Sequence, residues 1–229
     1  MNDNREMTVI ARIHTPFAEK FGVPRQSGLA PTEGRIVFAP AYRNPDALRG
    51  LEGFSHLWLI WEFSENKEAG WSPTVRPPRL GGNQRVGVFA TRSPFRPNPI
   101  GLSCVKLEQV ELSTPDGPVL FVSGADLVDG TPILDIKPYL PYADCRPEAV
   151  GGFAGQAPEP LRVDFPPALL ERVPQGEREA LLAVLAQDPR PPYQRDPQRV
   201  YGFGFAGLEV RFTYGDGVLT VVEVGPAAR

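Results

Sequence analysis

The stretch from Trp71 to Lys106, WSPTVRPPRLGGNQRVGVFATRSPFRPNPIGLSCVK, has the residue types best suited to bind an anion. It contains no Asp or Glu, although the chain has a formal net charge of -3. Its cationic side chains are Arg76, Arg79, Arg85, Arg92, Arg96 and Lys106. Glycines and asparagines such as Asn98 lie between them and would allow close approach to a ligand. A solvated basic surface is the alternative, but this composition favours an anionic ligand.

Three further polar segments could complete a site. They are Pro24–Gly28 (PRQSG), Asp126–Pro132 (DLVDGTP) and Lys137–Cys145 (KPYLPYADC), the last with Lys137, Tyr139 and Tyr142. None of them carries a nucleophile with a base next to it. Such a set suits chemistry in which the electrophile arrives on a cofactor, while the protein supplies positioning, charge and one base.

Other catalytic classes have little support in the sequence. Only His14 and His56 are available, so a histidine-based metal site or a Ser-His-Asp triad is not expected, and we predict no metal. This also weakens a metal-dependent phosphate-ester hydrolase as an alternative function. The pattern G-x-G-x-x-G at Gly202–Gly207 is followed by the strand-like LEVRFTY, so it lacks the helix that a dinucleotide site requires.

Composition describes an ordinary globular chain of 229 residues with 41% hydrophobic residues. No apolar run approaches the length of a membrane span, and the first residues do not read as a secretion signal. Cys104 and Cys145 are far apart in the sequence and lack a CxxC partner. We expect reduced, buried thiols in a cytoplasmic protein without membrane contact.

The elements that would position these segments are mainly short strands. We expect strands at residues 7–13, 34–38, 54–63, 85–91, 102–112, 119–124 and 132–137, and a short helix at 45–51 capped by Asn44. The strand at 54–63 is apolar on both faces, which places it centrally. Because almost no helix separates these strands, an antiparallel β-barrel is favoured over a βαβ sheet.

The composition changes near Val150, where GGFAGQAPEP has the character of a linker. Helical patterns follow at 166–173 and 176–187, and Gly215–Gly217 marks a turn in a small β-meander. We therefore predict a mainly β protein with a β-barrel catalytic domain at 1–150 and a small α+β C-terminal domain at 160–229.

Four long motifs carry a resemblance to a known family. They are Gly50–Trp58 (GLEGFSHLW), Arg76–Gly101 (RPPRLGGNQRVGVFATRSPFRPNPIG), Asp126–Tyr142 (DLVDGTPILDIKPYLPY) and Leu185–Tyr193 (LAQDPRPPY). From about Met7 to its end, the chain resembles the TsaA-like or TrmO family of tRNA methyltransferases. The resemblance implies an S-adenosylmethionine-dependent enzyme that methylates N6 of threonylcarbamoyladenosine next to the anticodon. It also implies a homodimer with the cofactor near the subunit interface.

The resemblance also implies site residues. The cofactor-binding positions would be Pro24, Arg25, Gln26, Phe63, Ser64, Arg92, Asp126, Leu127, Val128 and Asp129. Asp126 or Asp129 could accept hydrogen bonds from the cofactor's ribose or ammonium group, and Arg25 or Arg92 could bind its carboxylate. A base would help the conjugated acceptor nitrogen, and the candidates are Asp129, Tyr139 and Tyr142. Candidates for binding the tRNA are Arg76, Arg96, Asn98 and Lys137.

One alternative function from another class stays open at this point. The same basic loops would suit a non-catalytic RNA-binding module or a sensor of S-adenosylmethionine. Transfer of a labelled methyl group into tRNA would separate the enzyme from either module.

Overall fold

The computed structural model describes residues 5–190, 196 and 199–227. Its strands are β1 (Ala11–His14), β2 (Glu33–Phe38), β3 (His56–Glu62), β4 (Thr74–Val75), β5 (Val86–Gly87), β6 (Ile100–Thr114), β7 (Gly117–Ser123), β8 (Pro132–Pro138), β9 (Arg162–Asp164), β10 (Tyr201–Phe205), β11 (Leu208–Gly215) and β12 (Val218–Pro226). Its α-helices are α1 (Pro141–Asp144), α2 (Pro167–Leu170) and α3 (Arg178–Ala186). Single 3₁₀ turns lie at Pro40–Tyr42, Pro45–Leu48, Leu51–Gly53, Ser64–Ala69, Pro78–Leu80, Val88–Ala90, Gly152–Ala154 and Gln175–Glu177.

Six strands close into a barrel in the order β1-β2-β7-β6-β3-β8, and every neighbouring pair is antiparallel. The predicted antiparallel barrel is therefore confirmed. In β3, Leu57, Leu59 and Trp61 are buried in the barrel core, while alternate residues are half-buried on its outer side. Because β3 pairs with β6 on one edge and β8 on the other, its apolar residues on both faces fit a central position.

Two local predictions were wrong. The strand expected at 85–91 is only the two-residue β5, because the chain turns at Val88, whose carbonyl accepts from both the N–H and the hydroxyl of Thr91. The helix expected at 45–51 is instead two 3₁₀ turns. Its predicted cap is present, since the Asp46 N–H donates to the Asn44 side chain at 3.0 Å.

A second sheet follows the barrel, with strand order β10-β11-β12-β9. The short β9 runs parallel to β12 and was missed in the sequence, because three residues show no periodicity. Helix α3 buries the predicted stripe of Ala180, Leu181, Val184 and Leu185. The predicted turn at Gly215–Gly217 joins β11 to β12, and Gly202–Gly207 lies in the β10-β11 hairpin instead of opening a helix. Among the described residues, no helix has the length and apolarity to cross a membrane.

The loop between β1 and β2 packs against the core of the second sheet and is hydrogen-bonded to the barrel. Phe17, at its start, is fully buried in the core beneath the second sheet. At Gly22 the backbone has φ of 92° and passes so close to Phe203 that a Cβ would lie 2.3 Å from its ring. A side chain at Gly22 would therefore push this loop off the second sheet. The same loop is tied to the barrel, where the Gly28 N–H donates to the Gly124 carbonyl at 2.9 Å.

Candidate active site

A cavity of about 480 Å³ lies at one end of the barrel. Its wall is built from the end of β3, the start of β6, the loop after β7 and the β1-β2 loop. The basic stretch Trp71–Lys106, called the cationic segment below, completes the wall. The lining residues are Lys20, Val23, Pro24, Arg25, Gln26, Trp61, Glu62, Phe63, Ser64, Glu65, Asn66, Thr91, Arg92, Pro94, Arg96, Ile100, Gly101, Leu102, Asp126, Leu127, Val128 and Thr131. Both its volume and its mixture of apolar and polar walls are typical of a small-molecule site.

Most of the predicted cofactor-binding residues meet in this cavity. Nine of the ten line it, namely Pro24, Arg25, Gln26, Phe63, Ser64, Arg92, Asp126, Leu127 and Val128. Arg96, predicted to bind the tRNA, lines it as well. The wall does not include Asp129, Arg76, Asn98, Lys137, Tyr139 or Tyr142. The roles predicted for these residues stay predictions.

Asp126 is the carboxylate that the fold holds in the cavity wall. Its Oδ1 accepts a hydrogen bond from the Ser103 hydroxyl at 2.5 Å, and that hydroxyl accepts one from the Trp61 indole N–H at 2.9 Å. Burial raises the pKa of Asp126, while the Ser103 hydrogen bond and the charge of Arg92 oppose the rise. The carboxylate is thus poorly solvated, and a cationic or hydrogen-bond-donating ligand would stabilise its charged form.

Trp61 is held in place by a glycine on the neighbouring strand. Gly101 pairs with Trp61 in the β3-β6 ladder, and a Cβ on Gly101 would lie 2.2 Å from the indole ring. The indole therefore covers the Gly101 backbone and packs against Phe63, with ring centroids 4.3 Å apart. This contact fixes the aromatic part of the cavity wall.

Hydrogen bonds tie the cavity loops to each other. Arg92 donates to the side-chain oxygen of Gln26, which links the cationic segment to the β1-β2 loop. Arg25 donates to the backbone carbonyls of Asp188 at 3.3 Å and Arg190 at 3.5 Å, after α3. Lys20 donates to the Glu65 carbonyl at 2.8 Å. The cavity loops are therefore positioned by both parts of the chain.

Asp129 has a different environment from Asp126. Its Oδ1 lies 3.2 Å from Nδ1 of His14 and accepts from the Thr15 backbone N–H at 3.1 Å. Its own N–H donates to the Phe17 carbonyl at 2.7 Å. These contacts tie Asp129, in the loop between β7 and β8, to the end of β1 and the start of the β1-β2 loop.

Tyr139 and Lys137 lie on the outer side of the barrel. The Tyr139 ring contacts Trp58, with centroids 5.9 Å apart, and loss of solvation raises its pKa, as do the neighbouring cysteines. Lys137 forms an exposed ion pair with Asp135 at 2.8 Å. Tyr142 is 85% exposed. None of the three residues reaches the cavity of its own chain.

Asp144 and the two cysteines lie on the same outer side. Asp144 accepts from the Leu140 N–H at 2.8 Å and from the Trp58 indole at 3.0 Å, and these bonds lower its pKa. Burial, followed by the charge of Asp144, raises the pKa of Cys104. Both thiols are free, as expected, but Cys145 is exposed, so its predicted burial was wrong. It follows the one-turn α1, where the chain leaves the barrel.

The cationic segment contains the remaining tRNA-binding candidates. Arg76 and Asn98 are exposed on it, outside the cavity wall. Arg96 is half-buried, and its guanidinium donates to the carbonyls of Thr91 at 2.9 Å and Ser93 at 3.2 Å. These acceptors are neutral, so they do not balance the positive charge that Arg96 brings to the edge of the cavity.

Sequence reasoning missed several residues of this site. Trp61 and Leu102 line the cavity, and Ser103 contacts Asp126, yet none was a candidate. The sequence places Trp61 on the same face of β3 as Leu57 and Leu59, and its position at the strand end could have indicated the barrel mouth. Ser103 gives a weaker signal, since a small polar residue in an apolar strand has many possible partners.

The residues present fit S-adenosylmethionine. Asp126 offers a desolvated carboxylate for hydroxyl or ammonium groups, Arg92 offers a cation, and Trp61, Phe63 and Leu102 offer apolar surface. Among the described residues, no cluster of three or more His, Cys, Asp or Glu side chains has the arrangement of a metal site.

Comparisons with known proteins agree with this geometry. The family model "tRNA-methyltransferase O N-terminal domain" matches residues 12–145, and "TrmO C-terminal domain" matches residues 158–227. A tRNA (adenine(37)-N6)-methyltransferase of Escherichia coli is 44% identical over 227 residues, which cover 95% of this chain and 96% of that protein. A protein of the same name from Eikenella corrodens is 50% identical over 172 residues, which cover 75% and 97% of the two chains.

Solved structures give the same relationship. A crystal structure of TrmO from Pseudomonas aeruginosa superposes with a TM-score of 0.80 at 35% identity and covers 99% of both chains. The two family models together, the Escherichia coli relative and this crystal structure each span nearly the whole chain. This chain belongs to the tRNA-methyltransferase O (TrmO) family.

Proposed function

We propose that this protein is an S-adenosylmethionine-dependent tRNA methyltransferase that methylates N6 of threonylcarbamoyladenosine next to the anticodon. The observation that carries the proposal is the cavity itself, where nine residues predicted to bind the cofactor meet beside a cationic segment. The relatives from Escherichia coli and Eikenella corrodens are named tRNA (adenine(37)-N6)-methyltransferases, which supports the reaction and the base.

The cofactor would be held by opposite charges across the cavity. Asp126 would accept hydrogen bonds from its ribose or ammonium group, and Arg25 or Arg92 would bind its carboxylate. Trp61 and Phe63 would exclude water along the apolar wall. When bound, S-adenosylmethionine supplies an electrophilic methyl group, so the chain itself needs no nucleophile.

The substrate would be recognised through the group that modifies its base. Threonylcarbamoyl adds a carboxylate and a hydroxyl to adenosine, and Arg96 presents its charge at the edge of the cavity. Arg76, Asn98 and Lys137 remain our candidates for further tRNA contacts. If Arg96 pairs with the threonyl carboxylate, an unmodified adenosine would leave that cation without its partner.

We also propose a homodimer, a cytoplasmic location and a division into domains at 1–150 and 160–229. Asp129, Tyr139 and Tyr142 are our candidates for the base, and all three lie outside the cavity of their own chain. Tyr139 and Tyr142 could act on the substrate only if a second protomer brings them to the reaction centre. A site shared between two subunits would meet this requirement.

Purified protein incubated with labelled S-adenosylmethionine and tRNA tests the function. We expect the mass of threonylcarbamoyladenosine to rise by one methyl group. A transcript without that modification should react about 100-fold more slowly or worse, because the cationic site loses a charged partner. Equal rates would indicate a general adenine-N6 methyltransferase. If cofactor or RNA binds but no methyl group is transferred, the protein would be a binding or sensing module.

Mixed dimers test the shared site. A variant defective in the cavity, Arg92→Ala, is combined with a variant defective on the outer side, Tyr142→Phe. Heterodimers should regain activity if one intact site forms from the two complementary chains. Two inactive variants whose heterodimers stay inactive would contradict a site shared through Tyr142. Arg92→Ala mixed with itself is the matched control.

A further inference from the structure

Phe89 exposes an unusually large apolar surface for a residue on a rigid backbone. Its side chain is 75% exposed, and Trp71 on a neighbouring loop is 58% exposed. The loops that carry them are linked, because the Val88 N–H donates to the Pro73 carbonyl at 3.0 Å. Exposed aromatic residues on linked loops are the kind of apolar surface that indicates a binding site.

The backbone holds Phe89 outwards. Val88, its neighbour, is buried, and the Thr91 N–H and hydroxyl both donate to the Val88 carbonyl, at 3.1 and 2.8 Å. Strands β4 and β5 pair immediately before this turn. The ring is therefore presented to solvent without the loss of backbone entropy that ordering a flexible loop would require.

A cationic side chain lies near this ring, and the segment around it is basic. The Arg96 guanidinium lies 6.0 Å from the Phe89 ring centroid, and Arg85 donates to the Thr74 hydroxyl at 2.8 Å. Residues 71–107 contain no Asp or Glu. Single-stranded nucleic acids bind to surfaces of this kind, where arginines attract the backbone and aromatic rings stack on bases. An acidic chain with a net charge of -3 therefore has a local surface complementary to RNA.

The position of Phe89 relates it to the cavity. Arg96, whose guanidinium is near the ring, lines the cavity, and so does Thr91 two residues after Phe89. A base that enters the cavity must leave the stack of its own loop, which uncovers the neighbouring base. Phe89 lies next to two residues of the cavity wall, so it is close enough to the entrance to meet such a base.

We propose that the Phe89 ring stacks on the base next to the adenosine that enters the cavity, with Arg96 beside it. The proposal rests on tRNA being the substrate. It assigns Phe89 to recognition of the anticodon loop. The other occupant that such a surface could take is a second copy of the chain, and the experiment separates the two.

The test measures binding of an anticodon stem-loop RNA that carries threonylcarbamoyladenosine and, next to it, the fluorescent base 2-aminopurine. Phe89→Tyr keeps an aromatic face, Phe89→Leu keeps apolar bulk without one, and Phe89→Ala removes both. We expect RNA binding by the Leu and Ala variants to weaken by about 5- to 150-fold, the range for one stacked base, with loss of 2-aminopurine quenching. The Tyr variant should bind like the wild type.

Salt dependence and a control variant sharpen the test. Because Phe89 carries no charge, affinity should fall equally at every salt concentration, whereas loss of an arginine contact would change the slope. The control is Tyr42→Ala, an aromatic residue that is 41% exposed. Tyr42 precedes Arg43, which contacts Gly117 in the β6-β7 turn, at the opposite end of β6 from the cavity. This control should leave RNA binding unchanged.

Three results would overturn the proposal. The first is a Phe89→Leu variant that binds the RNA and quenches 2-aminopurine as well as the wild-type protein does. If the wild-type protein still methylates tRNA, the proposed function stands and only the stacking proposal fails. The second is unchanged RNA binding with an altered sedimentation coefficient, which would assign the surface to contact between copies. The third is a wild-type protein that binds cofactor but never methylates tRNA. In that case the function would fail first and the stacking proposal with it.

Discussion

Substitutions at Asp126 and Asp129 compare a carboxylate in the cavity wall with one in a turn outside it. Asp126→Asn keeps an oxygen that can accept from the Ser103 hydroxyl and removes only the charge. Asp129→Asn likewise keeps an acceptor for the Thr15 N–H. The two variants are matched in size and chemistry, so a difference between them reports the location of the lost charge.

The size of the cofactor effect follows from the contact that Asp126 would make. A hydrogen bond to a charged group contributes about 1.5–3 kcal/mol, which corresponds to a loss of roughly 10- to 150-fold in affinity. We expect this loss of S-adenosylmethionine affinity in Asp126→Asn, measured by titration calorimetry. Asp129→Asn should bind the cofactor within a few-fold of the wild type, because its side chain is not part of the cavity wall.

Asp126→Asn should weaken cofactor binding but should not lower the stability of the protein without cofactor. Burial raises its pKa in the folded protein, so the folded state binds more protons than the unfolded state as pH rises above the ordinary carboxyl pKa of about 4. Wild-type stability contributed by this group therefore falls as pH rises through that window, and remains reduced above it. Asp126→Asn should be at least as stable as the wild type at pH 7.5, with any excess disappearing towards pH 4.

Urea unfolding without cofactor at several pH values measures this difference. The reasoning about the cavity would be refuted if Asp126→Asn bound the cofactor normally while Asp129→Asn lost it. That result would return Asp129 to the cofactor site predicted from the sequence. A destabilised Asp126→Asn at neutral pH would contradict the electrostatic argument separately.

Two further substitutions test the supports of the cavity. Gly101→Ala should lower the free energy of unfolding by about 1–3 kcal/mol and weaken cofactor binding, because its Cβ would collide with Trp61. The control is Gly225→Ala, because a Cβ at Gly225 would have no atom within 4 Å, and equal melting temperatures for the two variants would contradict this packing. Arg190→Ala should raise the KM for the cofactor about 2- to 10-fold with little change in kcat. Arg190 pairs with Asp188 at 2.7 Å and its guanidinium lies 3.4 Å from the Tyr214 ring centroid. These contacts fix the turn whose carbonyls accept hydrogen bonds from Arg25. Arg199→Ala, over Tyr201 at 5.5 Å, is its control, and an unchanged KM in Arg190→Ala would show that the turn does not position Arg25.

The barrel was predictable because its signals are local. The apolar run of β3 and the rarity of helical patterns depend on neighbouring residues alone. The prediction failed where burial and hydrogen bonding decide the backbone against the residue pattern. The segment 85–91 has strand-like residues, but burial of Val88 and two hydrogen bonds from Thr91 turn it away from an extended path. Strand β9 forms only because β12 lies beside it.

The site was predictable to the extent that a family motif names its residues. Asp126, Leu127 and Val128 reached the cavity, whereas Asp129, the next residue in the same motif, is bound to His14 and Thr15. Sequence separation of three residues cannot distinguish these orientations, because the chain reverses at Gly130, where φ is 76°. Ser103 and Trp61 were missed because their contact joins two strands that are distant in the sequence.

The β1-β2 loop explains why the cavity depends on both parts of the chain. Phe17 and Ala30, near its two ends, are buried in the second core, and between them Arg25 donates to the carbonyls of Asp188 and Arg190. Pro24–Gln26, which we predict to bind the cofactor, therefore lie on a segment whose ends are anchored by hydrophobic burial outside the barrel. Hydrophobic anchoring at both ends fixes the path of a loop while leaving its polar middle free to face a ligand. The second sheet thus helps to shape the cavity without supplying a residue to its wall.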